Sequence, residues 1–195
     1  TLLPLVNAWS FFTQYANLDG WNPKTGFDGV ATPPVSQRPE IDRWLLSTLQ
    51  SLIQEADTQM SGYYLYKVIP AVLSFIDDLT NWYIRLSRRR FRGSVSDPEA
   101  RLDKASAYAT LYETLVSFSK VLAPILPFLS EAIYQHLAVE TGMVKASEDS
   151  IHLCDFPEVN AAWIDTDLEA QIRFARQAVG MGRALRERVR IKMRQ

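Results

Sequence analysis

The chain has 195 residues with a net charge of −1, 47% hydrophobic and 22% charged residues, a globular composition that excludes a disordered tail. Its longest apolar stretch, Val121–Leu129, contains two prolines and is far too short to span a bilayer, and no N-terminal basic-then-apolar pattern reads as a signal peptide. One cysteine, Cys154, rules out an internal disulfide or a cysteine-built zinc site and points to the reducing cytoplasm.

The predicted elements begin with a helix over Leu2–Leu18, in which Leu5, Ala8, Trp9, Phe12, Tyr15 and Ala16 recur at helical spacing before Asp19-Gly20 ends it. Residues 21–38 hold three prolines and two glycines without periodicity and read as a long ordered loop. A second helix, capped by Ser36 with Pro39 in its first turn, runs to about Met60 on Ile41, Leu45, Leu49, Leu52 and Ile53, and Ser61-Gly62 breaks it. The third spans about Lys67–Phe91, with Pro70 tolerable in its first turn. Gly93 to Pro98 forms the next connection, and a fourth helix over Leu102–Val121 stops at Pro124 and Pro127. A fifth covers Phe128–Leu137, residues 139–150 are a polar loop, and Ile151-His152-Leu153 alternates like an extended segment. The last helix runs from Asp165 or Thr166, its cap, to about Arg188. This is an all-α bundle of about five to six helices with one short extended segment near 150–154. Residues 1–164 form the bundle; residues 165–195 form an arginine-rich C-terminal helix that packs on it or leaves it, followed by a truncated junction. The start at Thr1 and the stop after Arg194 read as an excised piece of a longer protein.

The near-neutral total hides a strong asymmetry. Residues 85–92 hold five arginines and no acid, and residues 173–194 hold eight basic residues and one acid, Glu187. The rest of the chain has 8 basic and 21 acidic residues, so the molecule presents a focused positive field. At 100° per residue, Val68, Val72, Ile76, Leu79, Tyr83 and Leu86 of the third helix cluster on the side that faces the bundle. Asn81, Arg85, Arg88 and Arg92 fall opposite, flanked by Trp82 and Arg89. Five arginines in eight residues repel one another, a cost that a bound polyanion removes. Arginine also suits bidentate phosphate contact and stacking on bases. The competing reading is structural: the arginines solvate the helix or dock on acidic neighbours. In the last helix Leu168, Ile172, Ala175, Val179 and Gly182 make a thin packing stripe, while Arg173, Arg176, Arg183 and Arg190 recur on another face. Gly180 and Gly182 suit close helix approach better than a phosphate loop. Asp77-Asp78 reads as helix surface, and nothing in the chain has the spacing of a catalytic or metal site.

Residues 75–91, reading Phe-Ile-Asp-Asp-Leu-Thr-Asn-Trp-Tyr-Ile-Arg-Leu-Ser-Arg-Arg-Arg-Phe, resemble the signature helix in the anticodon-binding domain of class I aminoacyl-tRNA synthetases for branched aliphatic amino acids. Arg43-Trp44-Leu45-Leu46 and residues 122–134 are similar to that family's second helix and proline-broken helix pair, in the same order. Residues 150–157, 182–186 and 192–195 are most similar to the isoleucyl branch, with the valyl branch next. The resemblance implies a tRNA-binding piece of an ATP-dependent ligase, with tRNA for isoleucine and the absent catalytic and C-terminal domains of the same chain as partners. It implies no cofactor in this piece, because ATP is used by the absent catalytic domain; Ile191-Lys192-Met193-Arg194 is not an ATP-site signature. By the same resemblance Asn81, Trp82, Arg85, Arg88 and Arg89 contact RNA, Trp82 by stacking or else by packing at the bundle margin. Where relatives carry Phe-Trp, this chain has Phe91-Arg92, so Arg92 is expected to touch phosphate instead of stacking. Arg176 and Arg183 complete the expected RNA-contacting set.

Overall fold

A computed structural model describes residues 2–93, 95 and 97–190; residues 191–195, which include the segment similar to the isoleucyl branch, lie outside it. The chain forms two compact units, Thr1–Ile164 and Asp165–Gln195. The first holds helices α1 (Leu3–Asp19), α2 (Glu40–Ser61), α3 (Leu65–Asp77), α4 (Arg85–Arg92), α5 (Pro98–Leu122) and α6 (Pro127–Tyr134). The second is built on α7 (Thr166–Arg188). The only β-pairing among the described residues is two isolated bridges, Asn22 with Gly26 and Phe27 with Val30. No helix there is long and apolar enough to cross a membrane.

Most boundaries follow local chemistry. Gly20, with φ of 64°, takes the left-handed turn that ends α1 and donates to the Ala16 carbonyl. Asp97 caps α5 by accepting from the Ala100 N–H at 2.8 Å, with Pro98 in the first helical position. Asp165 caps α7 in the same way through Leu168 N–H at 2.9 Å. Ser36 does not cap α2; it lies in a short 3-10 turn, and Pro39, extended at ψ 151°, supplies the carbonyl that starts the helix. Pro70 sits two residues deeper than expected, in the second turn, because α3 begins at Leu65. Residues 151–153 form a 3-10 turn instead of an extended segment: Ser150 accepts from His152 N–H, and Glu131 accepts from Ile151 N–H at 2.9 Å and from Ser150 Oγ at 3.1 Å.

Helix α5 is the centre of the first unit and packs against α1, α2, α4 and α6. It carries small buried residues (Ala105, Ser106, Ala107, Ala109, Thr110) between large ones (Tyr108, Leu111, Leu115, Phe118), which lets neighbours approach closely on several sides. Phe75 of α3 meets its Phe118 at 4.8 Å and Phe12 of α1 meets its Tyr108 at 6.3 Å.

The third predicted helix is one rod in three parts. Between α3 and α4 the residues Asp78–Ile84 are π-helical. Hydrogen bonds from i to i+5 widen that turn, so each residue advances by less than 100° and the inward-facing set falls behind by one position. Thr80 Oγ1 donates to the Ile76 carbonyl at 2.7 Å, competing with the α-helical ladder where it widens. Val68, Val72, Ile76, Leu79 and Tyr83 are buried as the periodicity demands. Leu86 is not: it is 56% exposed, and Ser87 and Phe91, each 1% exposed, take the inner line. Asp78 is buried, correcting its reading as helix surface, while Asp77 stays outside.

The lag has a direct test in urea unfolding. Leu86→Ala is expected to change stability by less than about 0.5 kcal/mol and Phe91→Ala to cost about 3–5 kcal/mol; the reverse order would restore an unbroken α-helical register. Burial works to raise the Glu131 carboxyl, but hydrogen bonds from Gln135, Ile151 N–H and Ser150 outweigh it and hold it below its ordinary value. A depressed carboxyl stabilises the fold above its unfolded pKa of about 4.3 and loses that contribution as pH falls through its folded value. Glu131→Gln is therefore expected to flatten the acid side of a stability–pH curve, and an unchanged acid side would contradict this.

Candidate nucleic-acid interface

The arginines of α4 divide into an inner one and an outer set. Asp42 on α2 has no solvent exposure, and its carboxylate accepts from Arg90 Nη1 at 2.7 Å and Nη2 at 2.6 Å. Tyr83 donates its hydroxyl proton to Asp42 Oδ1 at 2.7 Å. Arg90 also gives Nε to Asp103 Oδ2 at 3.0 Å and Nη2 to the Asp103 carbonyl at 2.9 Å. One guanidinium thus ties α4 to both α2 and α5, with the planar two-pronged geometry that lysine cannot supply. Burial raises the Tyr83 phenol well above its ordinary value, and the Asp42 carboxylate adds to this. Burial alone would weaken the Arg90 cation, but the carboxylates of Asp42 and Asp103 and the Tyr83 oxygen hold it more firmly protonated than a free arginine. The end of α4 is anchored a second time: buried Lys104 donates Nζ to the Gly93 carbonyl at 3.2 Å and pairs with Asp19 at 2.6 Å, while the Tyr108 hydroxyl also bonds Asp19.

Asn81, Arg85, Arg88, Arg89 and Arg92 are all exposed on this rod. Among the described residues Arg85, Arg88 and Arg89 make no ion pair. Asn81 Nδ2 donates to Asp77 Oδ1 at 2.7 Å, and Arg92 Nε donates to the Tyr15 hydroxyl at 2.8 Å, which steadies its head group against α1. Phe91, beside it, is inside, edge-on to Phe11 at 5.1 Å and to Tyr108 at 5.0 Å. Trp82 is half-buried with its indole nitrogen shielded from solvent, so part of the ring packs and part remains open. A groove of about 230 Å³ runs beside the exposed set, lined by Arg89, Arg90, Gly93, Ala100, Asp103 and Lys104.

Arg176 and Arg183 belong to the second unit; Arg176 is half-buried and Arg183 exposed. The apolar stripe of α7 varies in exposure along its length. Leu168 is buried and Ile172 half-buried, but Ala175, Val179 and Gly182 are exposed, and a Cβ at Gly180 or Gly182 would meet open space. Apolar periodicity marks the greasy side of a helix and not whether anything lies on it. The residues that sequence reasoning missed are those that hold the ridge: Tyr15, Asp42, Arg90 and Asp103. Arg90 shares its type and neighbourhood with the exposed arginines, and nothing local marks it out. No group of three His, Cys, Asp or Glu suited to a metal ion occurs among the described residues.

A family model described as the anticodon-binding domain of tRNA ligase matches residues 42–195. Over 194 residues the chain is 44% identical to the isoleucine–tRNA ligase of Chlamydia muridarum (strain MoPn / Nigg) and 45% identical to that of Chlamydia trachomatis serovar D. It is 44% identical to that of Chlamydia pneumoniae. Each match takes in the whole of this chain but 17% of the relative's length.

Removing the inner anchor is expected to be costly. Asp42→Ala strands a buried guanidinium and should lower stability by about 3–5 kcal/mol in chemical denaturation, the range for breaking a buried ion pair from one side. A loss below about 1 kcal/mol would show that Arg90 finds water instead.

Proposed function

The chain belongs to the family of anticodon-binding domains of tRNA ligases, and from that premise we propose that it is the part of an isoleucine–tRNA ligase that grips the anticodon stem and loop of the tRNA for isoleucine. The parent enzyme joins isoleucine to that tRNA using ATP, with activation and editing carried out by parts of the polypeptide outside residues 1–195. The lone cysteine of residues 1–195, Cys154, is free, which suits the reducing cytoplasm in which translation proceeds.

The observation that carries this reading is the division among the arginines. Five adjacent cations on one short helix would favour scattering into whatever carboxylates lie near. Here one of them, Arg90, is taken up by the buried carboxylate of Asp42 and the half-buried one of Asp103, and Arg85, Arg88 and Arg89 are left facing solvent. A helix end anchored from inside and cationic outside is a rigid platform for phosphates, whose counterions are released on contact. Asn81 and the open part of Trp82 lie next to it along the same rod, where an unstacked base can be met by an amide and a ring. Arg92, held by Tyr15, extends the phosphate track toward α1. Arg176 and Arg183 supply further phosphate contacts from the second unit.

In the full-length ligase, Arg85→Ala with Arg88→Ala is expected to weaken binding of isoleucine tRNA by about tenfold or more at low salt. The plot of log affinity against log salt should become shallower by about 1–2 units between roughly 50 and 200 mM, with the unfolding midpoint unchanged. A lowered midpoint with intact tRNA affinity would instead mean that the ridge docks on protein.

A further inference from the structure

We propose that Asp77 is a positioning residue: it fixes the amide of Asn81 so that this side chain presents its oxygen to a base of the bound RNA and selects adenine or cytosine, the bases whose Watson–Crick edge sets an amino group beside a ring-nitrogen acceptor. The inference rests on the RNA-binding reading above. Asn81 Nδ2 donates to Asp77 Oδ1 at 2.7 Å, one helical turn back along the exposed face of the rod. An ionised carboxylate only accepts hydrogen bonds, so it admits the amino side of the amide and rejects the carbonyl side. The two orientations of an asparagine amide, nearly equal in shape, are thereby made unequal. What Asn81 keeps for a ligand is one acceptor, Oδ1, and one remaining N–H.

The position of the pair determines what reaches it. One turn further along, the rod carries Arg85, then Arg88, Arg89 and Arg92, all exposed. A carboxylate at the end of that row repels phosphate, so the backbone track stops short of Asp77, and a base edge is what can approach the Asp77–Asn81 pair. An outward acceptor beside an N–H complements an amino group next to a ring-nitrogen acceptor, the pattern that adenine and cytosine present on their Watson–Crick edges. A base that places a carbonyl there, uracil or guanine, meets an oxygen with an oxygen. The competing role for the same hydrogen bond is to support the helix as an i,i+4 pair, which would make no distinction among bases.

The test uses the full-length ligase and anticodon stem–loop RNAs in which each unpaired loop base is changed in turn. The wild-type protein is expected to bind with steep salt dependence and, at one loop position, to favour adenine or cytosine over uracil and guanine. Asp77→Asn, whose amide offers either an oxygen or an NH₂ to Asn81, should reduce that preference by about tenfold, the discrimination of one good amide–base pair. The salt slope and the unfolding midpoint should not change, and Asn81→Ala should remove the same preference. Asp77→Glu, which keeps an acceptor-only group, should retain part of it. If Asp77→Asn keeps the preference, or lowers affinity for every stem–loop equally, or if the wild type prefers no base at any position, the inference is wrong while RNA binding stands. If the wild type binds none of the stem–loops, the reading beneath it fails as well.

Discussion

A carboxylate with no contact with water is costly to fold around, and Asp42 is tolerated because Arg90 meets both of its oxygens and Tyr83 caps one of them. That cluster joins three helices at the one place where they must hold a fixed angle. Arg90 comes from α4, Asp42 from α2 and Asp103 from α5, so the exposed face of α4 cannot roll or slide without breaking charged hydrogen bonds. The surface arginines inherit their direction from this interior contact, and the rigidity that a binding platform demands is generated from below it.

The π-helical turn decides which arginine does which job. In a regular α-helix Leu86 would face the bundle, and Ser87 and Phe91 would sit further round toward solvent. The wider turn over Asp78–Ile84 delays the register by one residue, putting Phe91 among Phe11 and Tyr108 and setting Arg90 at the boundary where Asp42 and Asp103 can reach it. A purely α-helical rod would place the charged residues on different azimuths and separate Arg90 from its carboxylates. The local irregularity and the buried ion cluster therefore belong together, and they lie in the stretch that most resembles the family signature.

Much of this was legible in the sequence. Apolar periodicity located the helices, and the Asp165 cap and the left-handed Gly20 lie where short-range rules put them, whereas the start of α5 at Asp97-Pro98 falls in the stretch read as a connection. The outward placement of Asn81, Arg85, Arg88, Arg89 and Arg92 also followed from spacing. The failures have separate causes. A fixed 100° step cannot anticipate a turn with i to i+5 bonds, so Leu86 was assigned to the wrong side. Charge content cannot tell an arginine that will find a buried aspartate 48 positions away from one that will not. Long-range pairing and local departures from the regular α-helical step are where the sequence fell silent.

The central claim is that α4 keeps Arg90 for the protein and offers Arg85, Arg88 and Arg89 to RNA. Nitrogen-15 NMR of the arginine Nε–H groups, followed while an anticodon stem–loop is titrated in, addresses it residue by residue. The account predicts that the Arg85, Arg88 and Arg89 signals shift in proportion to RNA bound while the Arg90 signal stays in place and remains protected from exchange. A shift of Arg90 equal to that of its neighbours, or outer signals that ignore the RNA, would contradict it.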